Sequence, residues 1–231
     1  MKRACVGIVM IMLSAAAFAG DPAVPAALSK QITPEETADG FGPLFNGQNL
    51  DGWWISGENK NAFAVKDGML VTTGEGGGGW IFTDKQYQNF VLRCQYRVFK
   101  QDDNSGVAIR ATKEGNPAFS GMEIQVLHPE AEPRVGSAGA LYASVKPAVA
   151  ADKPFGEWNE IEILCDGPRI RTTMNGKQLY DIDINTFDSP DKTNTPLKDR
   201  AKAGYIALQD YGKYIEFRNI RLKPLPSPAA P

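Results

Sequence analysis

From Phe41 onward the chain falls into short runs in which apolar and polar residues alternate, each bounded by Gly, Asn, Asp or Pro. Alternation with a period of two marks strands that bury one face. Many short strands separated by turn residues indicate an all-β antiparallel sandwich or barrel. The expected strands are 62–66, 69–72, 79–82, 90–98, 106–111, 122–127, 140–144, 159–165, 169–174, 177–184, 205–209 and 214–222. Asp67-Gly68 and Asn175-Gly176 supply the positive φ angles that two-residue hairpins need. Leu92, Ile124, Ile161 and Ile163 fall on apolar phases and are expected in the core. Residues 186–203 lack a period and read as a long loop. Residues 74–79 form a glycine-rich loop, but no helix and no P-loop lysine follow it, so it does not cradle phosphate.

Residues 107–142 carry the most information. In 122–127, Glu123 and Gln125 point one way while Met122, Ile124 and Val126 point the other. Arg110 and Tyr142 fall on the polar phases of their own runs. If these runs are neighbours, an acid, an amide, a guanidinium and a phenol share one sheet face. Arg110 then either holds a ligand or neutralises Glu123. Solvent exposure alone also explains a polar face.

The start of the chain changes the setting. Lys2 and Arg3, the apolar stretch 6–17 and Ala17-Phe18-Ala19 have the form of a secretory signal peptide. Export to the periplasm or beyond is expected, with Gly20 as the new terminus and no membrane anchor left. Cys5 precedes the apolar stretch, so it is not a lipoprotein cysteine. Loss of Lys2 and Arg3 leaves 23 basic against 27 acidic residues, with no basic excess to track a phosphate backbone, which excludes nucleic acid as a partner class. Cys94 and Cys165 share apolar phases and read as buried thiols, although the compartment permits a disulfide. Two cysteines and His128, widely separated, have no zinc spacing. No cofactor is expected. A divalent cation is not assignable, because Asp102, Asp103, Asp181, Asp183 and Asp210 are too scattered to define a site. The expected organisation is a signal peptide over 1–19, a linker or strap over 20–40, one β-sandwich domain over 41–225 and a tail over 226–231. The oligomeric state is not legible.

The run Phe41–Trp53, FGPLFNGQNLDGW, resembles the opening of the 3-keto-disaccharide hydrolase domains, also described as 3-keto-α-glucoside-1,2-lyase/3-keto-2-hydroxy-glucal hydratase domains. Further motifs agree in order, among them Asp67–Leu70, Asn104–Val107, Ile109-Arg110, Gly121–Leu127, Gly139–Tyr142, Gly156–Asn159, Asn175-Gly176 and Gly204–Asp210. The resemblance covers residues 41–225. It implies a concanavalin A-like jelly-roll β-sandwich of two antiparallel sheets, one of which holds a saccharide on its concave face. It also implies a substrate class, glycosides or disaccharides oxidised to a ketone at C3. Such a ketone acidifies C2–H, so a base can remove that proton and the C1 oxygen leaves by β-elimination, with water adding afterwards. That chemistry needs a base near C2, a proton donor to the leaving oxygen and donors around the enolate.

On this reading the catalytic candidates are Glu123, Asp210 and His128, with Glu123 the first choice for base. Substrate binding falls to Asn104, Arg110, Gln125, Tyr142, Gln209, Tyr211 and Trp80. Tyr142 is either a proton donor or a stacking platform. Trp54 and Trp80 border the turn-rich rim and suit sugar stacking, whereas Trp53 and Trp158 are expected in the core. The sequence departs from the family pattern twice. Tyr211 stands where the family commonly has histidine, and His128 stands where it often has an acid. These changes keep open a second reading, a carbohydrate-binding module without catalysis.

Overall fold

The computed structural model describes residues 32–75 and 77–226. The expected signal peptide, the first part of the expected linker or strap, Gly76 and nearly all of the expected tail lie outside the described residues. In chain order the elements are α1 (Pro34–Ala38), β1 (Gly42–Pro43), β2 (Trp53–Ile55), β3 (Phe63–Lys66), β4 (Met69–Thr73), β5 (Gly79–Tyr87), β6 (Phe90–Arg97) and β7 (Asn104–Ala111). Then follow α2 (Pro117–Ser120), β8 (Met122–Leu127), β9 (Asn159–Asp166), β10 (Arg169–Met174), β11 (Lys177–Asp183), β12 (Gly204–Asp210) and β13 (Tyr214–Pro224). All sheet pairings are antiparallel. The front sheet has the order β2-β5-β12-β7-β8, and the back sheet β11-β10-β9-β6-β13-β4-β3, with β1 joined to β13.

The two sheets form the sandwich that the alternation predicts. Leu92, Ile124, Ile161 and Ile163 are all within 1% of complete burial between them, with Ile109, Met122, Leu208 and Phe217 beside them. Each such aliphatic side chain contributes about 1.5–3 kcal/mol by leaving water. Both expected hairpins have their turn residues in the left-handed region: Asp67 at φ 51° and Gly68 at 77°, Asn175 at 50° and Gly176 at 79°. Cys94 and Cys165 are buried free thiols, and burial pushes each up to about 12. Their strands are neighbours, but Phe90 is the residue opposite Cys165 and Ile161 the one opposite Cys94. The two thiols are thus offset by four residues, about 13 Å along the strands, beyond the reach of a disulfide.

Three expectations need correction. Residues 140–144 are not a strand. Leu141 and Val145 exchange backbone hydrogen bonds across a tight turn, with Ala143 at φ 59°. The segment still touches β8 through Gln125 N–H to Ala140 O and Tyr142 N–H to Glu123 O. The front sheet also gains β2, whose three residues are too few to show alternation. Trp158 is not in the core. It lies on the outer side of the back sheet with the Arg97 guanidinium 4.5 Å and the Arg218 guanidinium 3.8 Å from its ring. Trp53 is in the core, its indole N–H bonded to Leu44 O.

Paired charges close the outer face of the back sheet. Arg93 binds Glu162, Arg221 binds Glu160 and Arg97 binds Glu216. The strap is fastened to this face. Thr33 and Glu36 form a capping box around α1, and Glu36 Oε1 accepts from Arg93 Nη1 at 2.8 Å and from Arg221 Nε at 2.9 Å. These partners hold the Glu36 carboxyl below its ordinary value, against the opposing effect of burial. With the back covered, the outward face of the front sheet is the one left to present chemistry.

The clamp carries a testable consequence. A depressed folded-state value means stability that is present above the ordinary carboxylate range and lost as pH falls below it. Glu36→Gln is expected to cost about 1–3 kcal/mol near neutrality, measured by denaturant unfolding. The difference between wild type and variant should shrink as the pH is lowered below 4.5, the ordinary glutamate value.

Candidate functional site

A cavity of about 260 Å³ opens on the outward face of the front sheet. Its floor follows from strand register. Glu123 lies opposite Ala108, Gln125 opposite Gly106 and Leu127 opposite Asn104. Asn104, Gly106 and Ala108 therefore face outward with Glu123 and Gln125. Gly106 makes the room. A Cβ at that position would lie 1.8 Å from Glu123 Oε1 and 2.6 Å from Glu123 Cδ, so any side chain there would displace the carboxyl.

Glu123 is 3% exposed and lines the cavity. Its Oε1 has no hydrogen-bond partner. Burial without a counter-ion pushes its carboxyl up to about 8, since a low-dielectric site disfavours the charged form. Around it stand amides and phenols. Gln125 Nε2 donates to Asn104 Oδ1 at 2.8 Å, which leaves Asn104 Nδ2 and Gln125 Oε1 for a ligand. Gln209, at the end of β12, lines the same cavity. Its backbone is fixed by Ser105 Oγ, which donates to Gln209 O at 2.6 Å. Tyr142 arrives through the bond from its N–H to Glu123 O, at 2.8 Å. Its ring packs 6.0 Å from that of Phe119, and it remains 36% exposed. Tyr211 stands on the rim at 58% exposure.

The structure thus gathers Asn104, Glu123, Gln125, Tyr142, Gln209 and Tyr211 and leaves the other four candidates elsewhere. Arg110 is the largest departure. Simple alternation puts it beside Ala108, but the β7–β12 register shifts between Tyr205 and Ala207, and Arg110 adopts φ 51°. This bulge turns its side chain away from the cavity, as bulges re-aim the residues they carry. The fully buried guanidinium donates instead to Gln88 O and Gly167 O. It neither neutralises Glu123 nor lines the cavity. Asp210 is one residue out of phase with Gln209 and is turned inward at 1% exposure. Its Oδ1 accepts from Gly212 N–H at 2.9 Å, so it braces the turn after β12, and burial raises its carboxyl above the ordinary value. His128 follows the last paired residue of β8 and does not line the cavity. Trp80 sits opposite Gln209 on β5, one strand further across the sheet, and is nearly buried against Phe82 and Tyr205.

The segment that roofs one side of the cavity was not anticipated. Asn116, Ala118 and Phe119 line it from α2. Asn116 caps that helix by accepting from Ala118 N–H at 3.0 Å, with Pro117 at the first helical position. An asparagine followed by proline is a recognisable helix start, but one turn is too short to show periodicity. The long loop 186–203 supports α2 from outside: Arg200 Nη1 donates to Ala118 O at 3.2 Å. Among the described residues no group of three or more His, Cys, Asp or Glu side chains could hold a metal ion. Asp102 pairs with Lys213, Asp181 with Arg169, and Asp103 accepts from the backbone of Phe99 and Lys100.

Residues 40–223 match the family described as the 3-keto-alpha-glucoside-1,2-lyase-like domain, and the chain belongs to that family. It is 27% identical to a 3-keto-disaccharide hydrolase of Bacteroides thetaiotaomicron, over 81% of this chain and 79% of that one. Among solved structures it resembles a candidate glycosyl hydrolase from Parabacteroides distasonis, with a TM-score of 0.73 and 25% identity over 84% of this chain and 98% of the other. The fold also resembles a Bacillus subtilis carbohydrate-binding module, CBM66, with a TM-score of 0.53 and 13% identity over 74% and 95% of the two chains.

The buried carboxyl makes a stability prediction. A folded-state value raised from 4.5 to about 8 means that the unfolded chain ionises first, so stability falls as pH rises between those values and is level above them. Glu123→Gln removes this liability. Its unfolding free energy relative to wild type is expected to climb from pH 5 to pH 8, by on the order of a few kcal/mol at the upper end, and its melting temperature should rise with it. Parallel melting curves for the two proteins at every pH would show that Glu123 is not buried uncharged.

Proposed function

We propose that this protein cleaves glycosides already oxidised to a ketone at C3 of the sugar, with Glu123 as the base that removes the C2 proton. The observation that carries this reading is the uncompensated carboxyl on the cavity floor. A carboxylate raised to about 8 is a far stronger base than an ordinary one, and it is held where a sugar ring fits. The C2–H electron pair forms the C1=C2 bond as the C1–O bond breaks, conjugated with the C3 ketone. The Tyr142 phenol, on the same cavity wall, supplies the proton to the leaving oxygen. Asn104 Nδ2 and the Gln209 amide provide hydrogen bonds to the ketone oxygen as negative charge develops there. Water adding across the resulting double bond completes a net hydrolysis. Membership of the family and the name of the Bacteroides relative support this substrate class.

Chemically prepared 3-keto-glycosides test the reading. Wild-type protein is expected to release the aglycone, with kcat/KM rising through pH 8 as Glu123 ionises. Glu123→Gln should lower turnover about 10²–10⁴-fold and remove that limb while binding persists. Near wild-type turnover in the variant would eliminate Glu123 as the base. The second reading, binding without catalysis, is favoured by Tyr211, a phenol on the rim where the family commonly carries histidine. On that reading sugars bind, no aglycone appears, and C2 deuterium is not exchanged.

The reading includes export, supported by the charged, apolar and small-residue pattern at the start of the chain. Expression in a bacterial host should yield a periplasmic or extracellular protein whose first residue, by terminal sequencing, is Gly20. Recovery only in the cytoplasm with Met1 intact would refute it.

A further inference from the structure

α2 is a single helical turn, and one turn has too few internal hydrogen bonds to stand alone. It is braced from outside the cavity. Arg200, 3% exposed, donates from Nη1 to Ala118 O at 3.2 Å and to Gly121 O at 3.4 Å, and from Nε to Thr195 O at 2.8 Å. We infer that Arg200 is a positioning residue for protonation of the leaving group: through Phe119 of α2 it fixes where the Tyr142 phenol stands in the cavity. The inference rests on the proposed function and goes beyond it, because it names the group that places the proton donor.

The contacts run in an unbroken line. The Arg200 guanidinium lies 5.6 Å from the centre of the Phe119 ring. The Phe119 ring lies 6.0 Å from that of Tyr142, with the planes inclined at 49°. Phe119 and Tyr142 both line the cavity, whereas Arg200 does not. Each end of the line is tied to the front sheet. Tyr142 N–H donates to Glu123 O at 2.8 Å, which fixes its backbone to the strand that carries the base. Its ring then turns only about its own side-chain bonds, and Phe119 packs against it from the α2 side. Beyond α2, the Gly121 backbone is pressed on β7, where a Cβ would lie 2.4 Å from Ile109 O. The helix therefore meets the sheet at a set point.

A buried guanidinium holds its place only if its charge is met. Asp191 meets it, with Oδ2 3.9 Å from Arg200 Nη2. Asp191 accepts from Thr193 N–H at 3.0 Å, from the Thr193 hydroxyl at 2.9 Å and from the Asn194 amide at 2.9 Å. These bonds hold its carboxyl down at about 2, so it stays ionised. Ala201 N–H donates to Ser120 O at 3.3 Å, a further tie between the loop and α2. A planar guanidinium can serve two carbonyls and an aromatic ring together, which an ammonium does less well. The reaction gives this placement a use. When the C1–O bond breaks, an alkoxide leaving group must take a proton, here from the Tyr142 hydroxyl. A nitrophenolate leaves as a stable anion and needs none. Displacing Tyr142 therefore harms the first reaction more than the second.

Two probes separate these cases, methyl 3-keto-α-glucoside and 4-nitrophenyl 3-keto-α-glucoside. Arg200→Met is expected to lower kcat/KM for the methyl glycoside about tenfold more than for the nitrophenyl one. Arg200→Lys should recover part of that difference. Phe119→Leu, at a half-buried position, should show the same selective loss and decides the matter if Arg200→Met does not fold. In a Tyr142→Phe background neither change should add to the selective loss, since all act on one interaction. Equal losses for both probes, or a full selective loss on top of Tyr142→Phe, would overturn the inference. A second measurement needs no turnover. With 3-fluorotyrosine at position 142, the fluorine resonance should move in Arg200→Met and return toward its original place in Arg200→Lys. An unmoved resonance in Arg200→Met would also overturn the inference. A resonance that moves in a protein releasing neither aglycone would uphold the placement of Tyr142 by Arg200 and refute the elimination.

Discussion

The arrangement of this protein depends on one acid kept away from every positive charge. Glu123 is buried at the floor of a cavity, and an isolated carboxylate is expensive to take out of water. It survives there because it can stay protonated near neutrality. Two local features create that state. Gly106 leaves the space its carboxyl fills, and the bulge at Arg110 withdraws the one guanidinium that alternation would have delivered to it. An alanine at the first position would displace the carboxyl, and a regular strand at the second would set a guanidinium beside it, which favours the ionised form.

The two faces of the sandwich divide the work. The back sheet carries a lattice of arginines and glutamates in mutual contact, with Trp158 packed against two guanidinium groups and the segment before β1 fastened by Glu36. The front sheet carries amides, phenols and aromatic rings with few ion pairs. Charges that are satisfied contribute rigidity, and groups that are left unsatisfied bind. Loop 186–203 links the two roles, because Arg200 reaches across it to hold the helix that roofs the cavity.

Much of this was legible in the sequence, for identifiable reasons. Alternation gave most of the strands and the core, and Asp67-Gly68 and Asn175-Gly176 gave the hairpin turns, because each of those depends on neighbours in sequence. It also set Glu123 and Gln125 on one face together. Arg110 and Asp210 were misplaced because a single bulge and a single residue of phase decide which side of a sheet a group occupies, and both depend on pairing with β12. Tyr142 was found for an incomplete reason: its segment is a turn bonded to β8, not a strand. Asn116 and Phe119 escaped notice because one helical turn has no period, and only the loop behind it fixes its place. Trp158 shows the same limit from the other side, since a tryptophan in a strand-rich sequence reads as core until two arginines are seen against its ring.

The order of strands in the back sheet has a consequence for how the chain is made. The last strand, β13, lies in the middle of that sheet, between β4 and β6. The core therefore cannot close until β13 has emerged, and the pairings that close it join residues more than a hundred positions apart, such as Thr72 with Ile215. Long-range pairing of this kind is slow to form. A nascent chain so wired keeps the middle of its back sheet open until β13 is available to pair with both neighbours at once.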